Sequence, residues 1–171
     1  MPELVLPTTR LHAAFLECRD DWGPGPHEDG FGLTPGDDVD SPGGFVSWVD
    51  GLVSRTHPAG TPCPPGRHGS PRWIVQDGRI LGGIALRHHY DDGAGHIGYG
   101  IRPSARGRGL ATWALGAILR EARAALTVDR VLVVCLAGNL ASARTIERNG
   151  GVAEDMPAGA PTRRYWITLG E

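Results

Sequence analysis

Arg106-Gly107-Arg108-Gly109-Leu110-Ala111 is the stretch of this chain best suited to chemistry. It follows a strand-like segment, His96–Ile101, and runs straight into a helical pattern from Leu110 to Leu126. Peptide N–H groups at a helix start have no partner within the helix, and the helix dipole is positive there. Gly107 and Gly109 allow close backbone approach, and Arg106 and Arg108 add charge. Strand, glycine-rich turn and helix start together predict a cradle for a phosphorylated ligand.

The surrounding elements must hold that cradle. Leu4–Leu6 reads as a first strand, and Thr8 can cap a helix carrying Leu11, Phe15 and Cys18 on one face. Residues 20–44 are rich in Gly, Pro and Asp and read as irregular. A second helix is expected from Pro42 to Arg55, with Phe45, Trp48, Val49, Leu52 and Val53 as its apolar stripe. After a Pro/Gly-rich loop, Arg72–Val75, the turn Asp77-Gly78, and Ile80–His88 read as a hairpin. Val131–Leu136 is a β-branched run expected as a buried strand. A short helix is expected from Ala141 to Asn149, with Asn139 near its start and Gly150-Gly151 at its end. Val152–Met156 and Tyr165–Leu169 are the last two expected strands.

Composition bounds the function. A chain of 171 residues is about one domain. A net charge of −2 gives no overall drive toward nucleic acid. No apolar run approaches the ~20 residues of a membrane span. Met1-Pro2-Glu3-Leu4 lacks the features of a signal peptide, and Cys18, Cys63 and Cys135 are odd in number and widely spaced. Both point to the cytoplasm, without disulfides or a zinc site. The seven histidines show no metal-ligand spacing, so no metal is expected. All 17 basic residues are arginine, which excludes a lysine nucleophile.

The ordered set of strand, Arg106–Ala111 loop, helix, Val131–Leu136 strand, Asn139 and short helix resembles the GNAT superfamily of acyl-CoA-dependent N-acetyltransferases. That family's phosphate loop is Arg/Gln-x-x-Gly-x-Gly/Ala, which Arg106, Gly109 and Ala111 match. The likeness covers residues 72–169. It is strengthened by Gly95-His96-Ile97-Gly98-Tyr99 before the loop and Ile146-Glu147-Arg148-Asn149-Gly150-Gly151 after it, as in bacterial members of unassigned substrate. The resemblance implies an α/β fold: one GNAT domain over 1–171, with a mixed, mostly antiparallel sheet, a splayed strand pair and flanking helices. It assigns 96–151 to the acetyl-CoA-binding core and 20–71 to a variable acceptor-side region.

The same resemblance implies roles for single residues. Arg106, Gly107, Arg108, Gly109, Leu110 and Ala111 would hold the pyrophosphate of coenzyme A. Ile101 and Asn139 would hold its pantetheine arm, although Asn139 also suits a helix N-cap. His96 stands where many GNATs carry a glutamate base. An imidazole of pKa ~6.5 can take a proton from an ammonium acceptor, yet a structural histidine fits the position equally well. His88 and His89 are weaker rivals. Ile146 occupies the place of the usual tyrosine acid, which leaves Ser142 or an unassisted thiolate. The acidic clusters Asp37, Asp38 and Asp40, and Asp91 with Asp92, could attract a cationic amine or simply be solvated turns. Trp22, Phe31, Trp48 and Tyr90 could line an acceptor pocket, with core packing the default.

These implications describe an enzyme that moves an acetyl group from acetyl-CoA to the primary amine of a small molecule by direct attack. The alternatives are a protein acetyltransferase acting on an N-terminus or side chain, and a non-catalytic acyl-CoA sensor. Nucleic acid and membrane are not expected partners, and a homodimer is left open.

Overall fold

The computed structural model describes residues 1–24, 30–56, 69–89 and 93–170. Tyr90, Asp91, Asp92 and Cys63 lie outside them. Among the described residues, seven strands form one sheet in the order β1-β2-β3-β4-β5-β7-β6. They are β1 (Glu3–Val5), β2 (Gly69–Gln76), β3 (Arg79–Arg87), β4 (Ile97–Ile101), β5 (Arg130–Leu136), β6 (Val152–Ala153) and β7 (Thr162–Thr168). Every neighbouring pair is antiparallel except β4 and β5, which are parallel. This is the expected α/β architecture. The described residues form four α-helices that flank the sheet: α1 (His12–Trp22), α2 (Pro42–Ser54), α3 (Leu110–Ala125) and α4 (Leu140–Arg148).

Alternation along β2 divides the core. Trp73 and Val75 join Phe15, Phe31, Phe45 and Trp48 in an aromatic cluster with α1 and α2. Ile74, between them, faces the other way and packs with Ile84, Ile97, Leu115, Ile118 and Ile146 under α3 and α4. A strand's period of two produces this split directly. Trp48 and Trp73 stack with centroids 6.1 Å apart, so both are core residues. Pro42 sits in the first turn of α2, and the Ser41 hydroxyl accepts the Gly44 N–H at 3.0 Å.

Three expectations change. Thr8 caps a short 3-10 turn, Thr9–Leu11, that leads into α1. The strand expected over Val152–Met156 pairs in register only at Val152 and Ala153, and its last backbone bond to β7 is from the Glu154 N–H to the Arg164 carbonyl at 2.8 Å. This is an exposed edge, and Pro157 has no N–H to extend a ladder. His96 stands outside β4, which begins at Ile97. The chain turns there at Gly95, with φ of +68°, and a Cβ on that residue would lie 2.7 Å from the Leu132 carbonyl oxygen. Only glycine fits so close to β5.

Candidate active site

The loop after β4 has the form expected of an anion cradle. Gly107 and Gly109 both have φ of +74°, and Gly109 is the N-cap of α3. Among the described residues, the N–H groups from Gly107 through Thr112 take no protein partner. Contiguous free N–H groups at a helix start are the chemistry a pyrophosphate requires. The apolar face of α3, with Leu110, Ala114, Leu115, Ile118, Leu119 and Ala122 buried, fixes that start against the sheet.

The two loop arginines are anchored. Arg106 Nε donates to the Ile101 carbonyl at 2.9 Å, and its guanidinium lies 5.1 Å from the centre of the Trp22 ring. Arg108 donates to Gln76 Oε1 at 3.2 Å. Trp22 is therefore a support for the loop. A further strut, Arg102, had no signal in the sequence that set it apart from a solvated arginine. It is 4% exposed. Its Nε donates to Asp21 Oδ2 at 2.8 Å and another nitrogen donates to the Ile80 carbonyl at 3.3 Å. Asp21 also accepts from the Ser104 hydroxyl at 2.6 Å and the Ser104 N–H at 3.1 Å. The hydrogen bond from Arg102, then those from Ser104, pull the Asp21 carboxyl down to about 2. The end of α1 is thereby tied to the turn that launches the loop.

Beside the loop the sheet opens. β4 and β5 share one in-register pair, Ile97 with Val133. Gly95 adds an isolated bridge to the same Val133. Beyond Ile97 the two strands have no ladder, which is the splayed strand pair that the resemblance implies. His96 sits at its apex. Its N–H donates to the Leu132 carbonyl at 2.7 Å, and its ring Nδ1 accepts the Leu132 N–H at 2.9 Å. A neutral imidazole that accepts at Nδ1 carries its proton on Nε2 and keeps no second lone pair. Burial, then the charge of Arg87 and the His89 ring, pushes its pKa below 6.5 and favours this neutral form. The geometry therefore does not support His96 as a general base. It makes His96 the residue that closes the backbone of β5 where β4 departs.

A cleft of about 740 Å³ opens from the splay. Gly98, Tyr99, Val134, Cys135 and Ser142 line it beside the sheet, and Phe31, Thr34, Leu52 and Arg55 line it from the acceptor-side region. Asn139 Oδ1 accepts the Ser142 N–H at 3.0 Å, so Asn139 does cap α4. The Tyr99 hydroxyl donates to the Ser142 carbonyl at 3.3 Å. Tyr99 is a functional candidate that helix-based reasoning missed. Ile146, at the usual tyrosine position, is fully buried at 0% exposure in the core under α3 and α4. The signal for Tyr99 was present in Gly98-Tyr99-Gly100, a large polar side chain between two glycines on the strand that splays.

The described acidic cluster is structural. Asp37 Oδ2 accepts from the Thr34 N–H at 2.7 Å and from its hydroxyl at 2.9 Å. Asp38 accepts from the Ser41 N–H and hydroxyl before α2, and Asp40 pairs with Arg19 at 2.6 Å. These bonds use the carboxylates to shape turns. Among the described residues no group of His, Cys, Asp or Glu could hold a metal ion, and no helix is long and apolar enough to cross a membrane.

Comparison with known proteins agrees with this geometry. Residues 62–152 match the acetyltransferase (GNAT) domain family, more than half of the chain. No curated protein matches in sequence. Among solved structures, the chain is similar to a ribosomal L7/L12 alpha-N-protein acetyltransferase, RimL, in complex with coenzyme A. The two are 17% identical, with a TM-score of 0.69 over 98% of this chain and 93% of that one. An enzyme of Salmonella typhimurium that modifies the N-terminal serine of L7/L12 is 17% identical, with a TM-score of 0.65 over 98% and 94%. The microcin C7 self-immunity acetyltransferase MccE, solved with acetyl-CoA and AMP, is 14% identical, with a TM-score of 0.63 over 98% and 92%. With a matching family, a free N–H cradle at Gly107–Thr112 and a strand pair that splays at His96, this chain belongs to the GNAT acetyltransferases, enzymes that draw their acetyl group from acetyl-CoA.

Proposed function

We propose that the protein acetylates the primary amine of a small molecule by direct attack on acetyl-CoA. The observation that carries this reading is the cleft of about 740 Å³ that leaves the splay and runs under the acceptor-side residues Phe31, Thr34, Leu52 and Arg55. That volume is typical of small-molecule sites. The N–H groups of Gly107, Arg108, Gly109, Leu110 and Ala111 would hold the pyrophosphate, with Arg106 and Arg108 supplying positive charge. Ile101 and Asn139 would hold the pantetheine arm.

The cofactor arrives as a thioester whose carbonyl carbon is open to an amine. This chain's residues orient that encounter and handle protons. His96, with its ring engaged by Leu132, is a positioning residue that keeps the splay open. Tyr99, whose hydroxyl reaches the first turn of α4, is the proton donor to the departing thiolate, and Ser142 stands beside it. A thiol pKa of ~8.5 makes that donation a modest help. The acceptor loses its proton to water.

A protein N-terminus is the second reading. It is supported by the likeness to ribosomal-protein acetyltransferases over 98% of this chain. Thiol release from acetyl-CoA, measured against a panel of small amines and short peptides, tests the two. Acceptor-dependent release with small amines is expected. Release with peptides alone would transfer the assignment to the second reading, and tight CoA binding without turnover by any acceptor would reject both.

A further inference from the structure

The acceptor-side wall of the cleft is the outer surface of the aromatic cluster. Phe31 and Leu52 belong to that cluster, Leu33 packs against it, and all three line the cleft. The wall is closely packed. A Cβ on Gly30 would collide with the Gly83 carbonyl, so the segment that carries Phe31 and Leu33 rests directly on the backbone of β3. A Cβ on Gly32 would lie 3.8 Å from the Leu52 side chain, which brings the same segment against α2.

The floor is one row of the sheet. Trp73 faces the aromatic cluster, and Pro71, two residues earlier on β2, faces the same side. Pro71 pairs with Ala85 on β3, and Ala85 pairs with Gly98 on β4. Gly98 is the first residue beyond Ile97, where β4 leaves β5. The row therefore runs inward from the splay over two strand spacings, roughly 10 Å. All three residues line the cleft, and Ala85 and Gly98 are partly exposed. The Arg87 guanidinium, held on the Ala94 and Gly95 carbonyls at 3.3 Å and 3.4 Å, lies over Gly98 and marks the splay end of the row. Inward of it the floor presents the Ala85 methyl and the Pro71 ring.

The carbon surfaces of Phe31, Leu33, Leu52, Pro71 and Ala85 offer no hydrogen bond. A polar group laid between this floor and wall loses water without compensation. An alkyl or aryl group gains about fourfold in affinity for each methylene it buries there. We propose that the acceptor is a primary amine carrying an apolar substituent, alkyl or aryl. The substituent lies along Gly98, Ala85 and Pro71 against the wall of Phe31, Leu33 and Leu52, and the amine meets the thioester at the splay. The inference names the acceptor class for the acetyl-transfer reading above and rests on that reading.

A graded series of amines tests it. Thiol release from acetyl-CoA is measured with ethylamine, butylamine, hexylamine and 2-phenylethylamine. In the parent, kcat/KM is expected to rise about fourfold per methylene from ethylamine to butylamine. Hexylamine or 2-phenylethylamine should exceed ethylamine by about tenfold or more, and the comparison of those two separates a chain from a ring. Two variants locate the effect. Ala85→Asp sets a carboxylate in the floor, and Leu33→Ser strips the wall. Each should flatten the series through the KM of the longer amines. Binding of CoA, by calorimetry, identifies a folded variant, and either variant alone decides the point. A series that is level or falls in the parent, or a rise that survives in a folded variant, overturns the proposal. A second readout needs no turnover: calorimetric binding of N-ethylacetamide and N-hexylacetamide to the enzyme–CoA complex. If no amine releases thiol, but the hexyl compound binds the parent about tenfold more tightly and a folded variant loses that preference, the acetyl-transfer reading fails and the apolar slot stands. If the two compounds bind the parent alike, or a folded variant keeps the preference, the slot is refuted.

Discussion

His96 and Leu132 exchange a complete pair of hydrogen bonds. The His96 N–H donates to the Leu132 carbonyl at 2.7 Å, and the Leu132 N–H donates to the imidazole Nδ1 at 2.9 Å. The ring thus stands in for a strand residue at the point where β4 leaves β5. His96→Ala leaves the buried Leu132 N–H without an acceptor, at a cost of about 1–3 kcal/mol. Urea denaturation of parent and variant measures it. The histidine's folded pKa lies below 6.5, so the unfolded chain binds the extra proton first. Its contribution to stability is therefore complete above pH 6.5 and declines as the pH falls toward the lower folded value. The midpoint difference between parent and variant should shrink over that window. A difference that grows on acidification would show that the ring is charged in the folded state.

If His96 is not the base, its titration does not shape the rate. The ascending limb of the pH–rate profile should persist in the Ala variant and move with the pKa of the acceptor amine. A limb near pH 6–7 that is independent of the acceptor and lost in the variant would restore His96 as the base.

Gly109 adopts a φ of +74° with open space around its missing Cβ, so a substitution there acts on the backbone before it crowds anything. Gly109→Val should reduce CoA affinity severely, because a β-branched residue resists the left-handed region. Gly109→Asn should retain most of it, since Asn tolerates that region. Arg106→Ala should weaken affinity by loosening the loop from Ile101 and Trp22. Titration calorimetry with CoA gives all three values. Equal affinity for the Val and Asn variants would mean that the φ of this residue is irrelevant to binding.

Asn139 caps α4 through the Ser142 N–H. Ser is an equally good cap, so Asn139→Ser should change stability by only a few tenths of a kcal/mol, whereas Asn139→Ala should cost about 1 kcal/mol. If the amide also holds pantetheine, the Ser variant should still raise the KM for acetyl-CoA. Steady-state kinetics beside a thermal melt separates cap from contact, and an unchanged KM leaves only the cap.

Tyr99→Phe removes the hydroxyl that reaches Ser142 and should lower kcat by about tenfold or less while sparing the KM for acetyl-CoA, because the thiolate is already a fair leaving group. Ser142→Ala keeps the backbone carbonyl and should lower it far less. The reverse ranking would make the serine the acid.

Asp21, held at about 2 by Arg102 and Ser104, contributes stability that is complete above its ordinary 3.8 and is lost as the pH falls through about 2. Asp21→Asn should lower the melting temperature at neutral pH and flatten its decline between pH 4 and about 2. Because the pair ties α1 to the turn before the loop, CoA affinity should fall as well. An acid limb identical in both proteins would show that the carboxylate is not linked to folding.

The chain order alone determined the frame of this enzyme. Periodicity located α2, α3, the β2–β3 hairpin and β5, because a buried helix face and an alternating strand each leave a local pattern. Gly107 and Gly109 marked the anion loop, because φ and N–H exposure there are local properties. The partners that complete the site lie far apart in sequence and were decided only by the tertiary structure. Leu132 captures the ring of His96 from 36 residues away. Asp21 neutralises Arg102 from 81 residues away. Asp37 and Asp38 are drawn into turns, and Arg55 and His89 meet at one cleft. No local pattern encodes which lone pair of a histidine is already taken, or which of 17 arginines is buried. Those choices follow from how the sheet brings distant backbone and charge within hydrogen-bonding range.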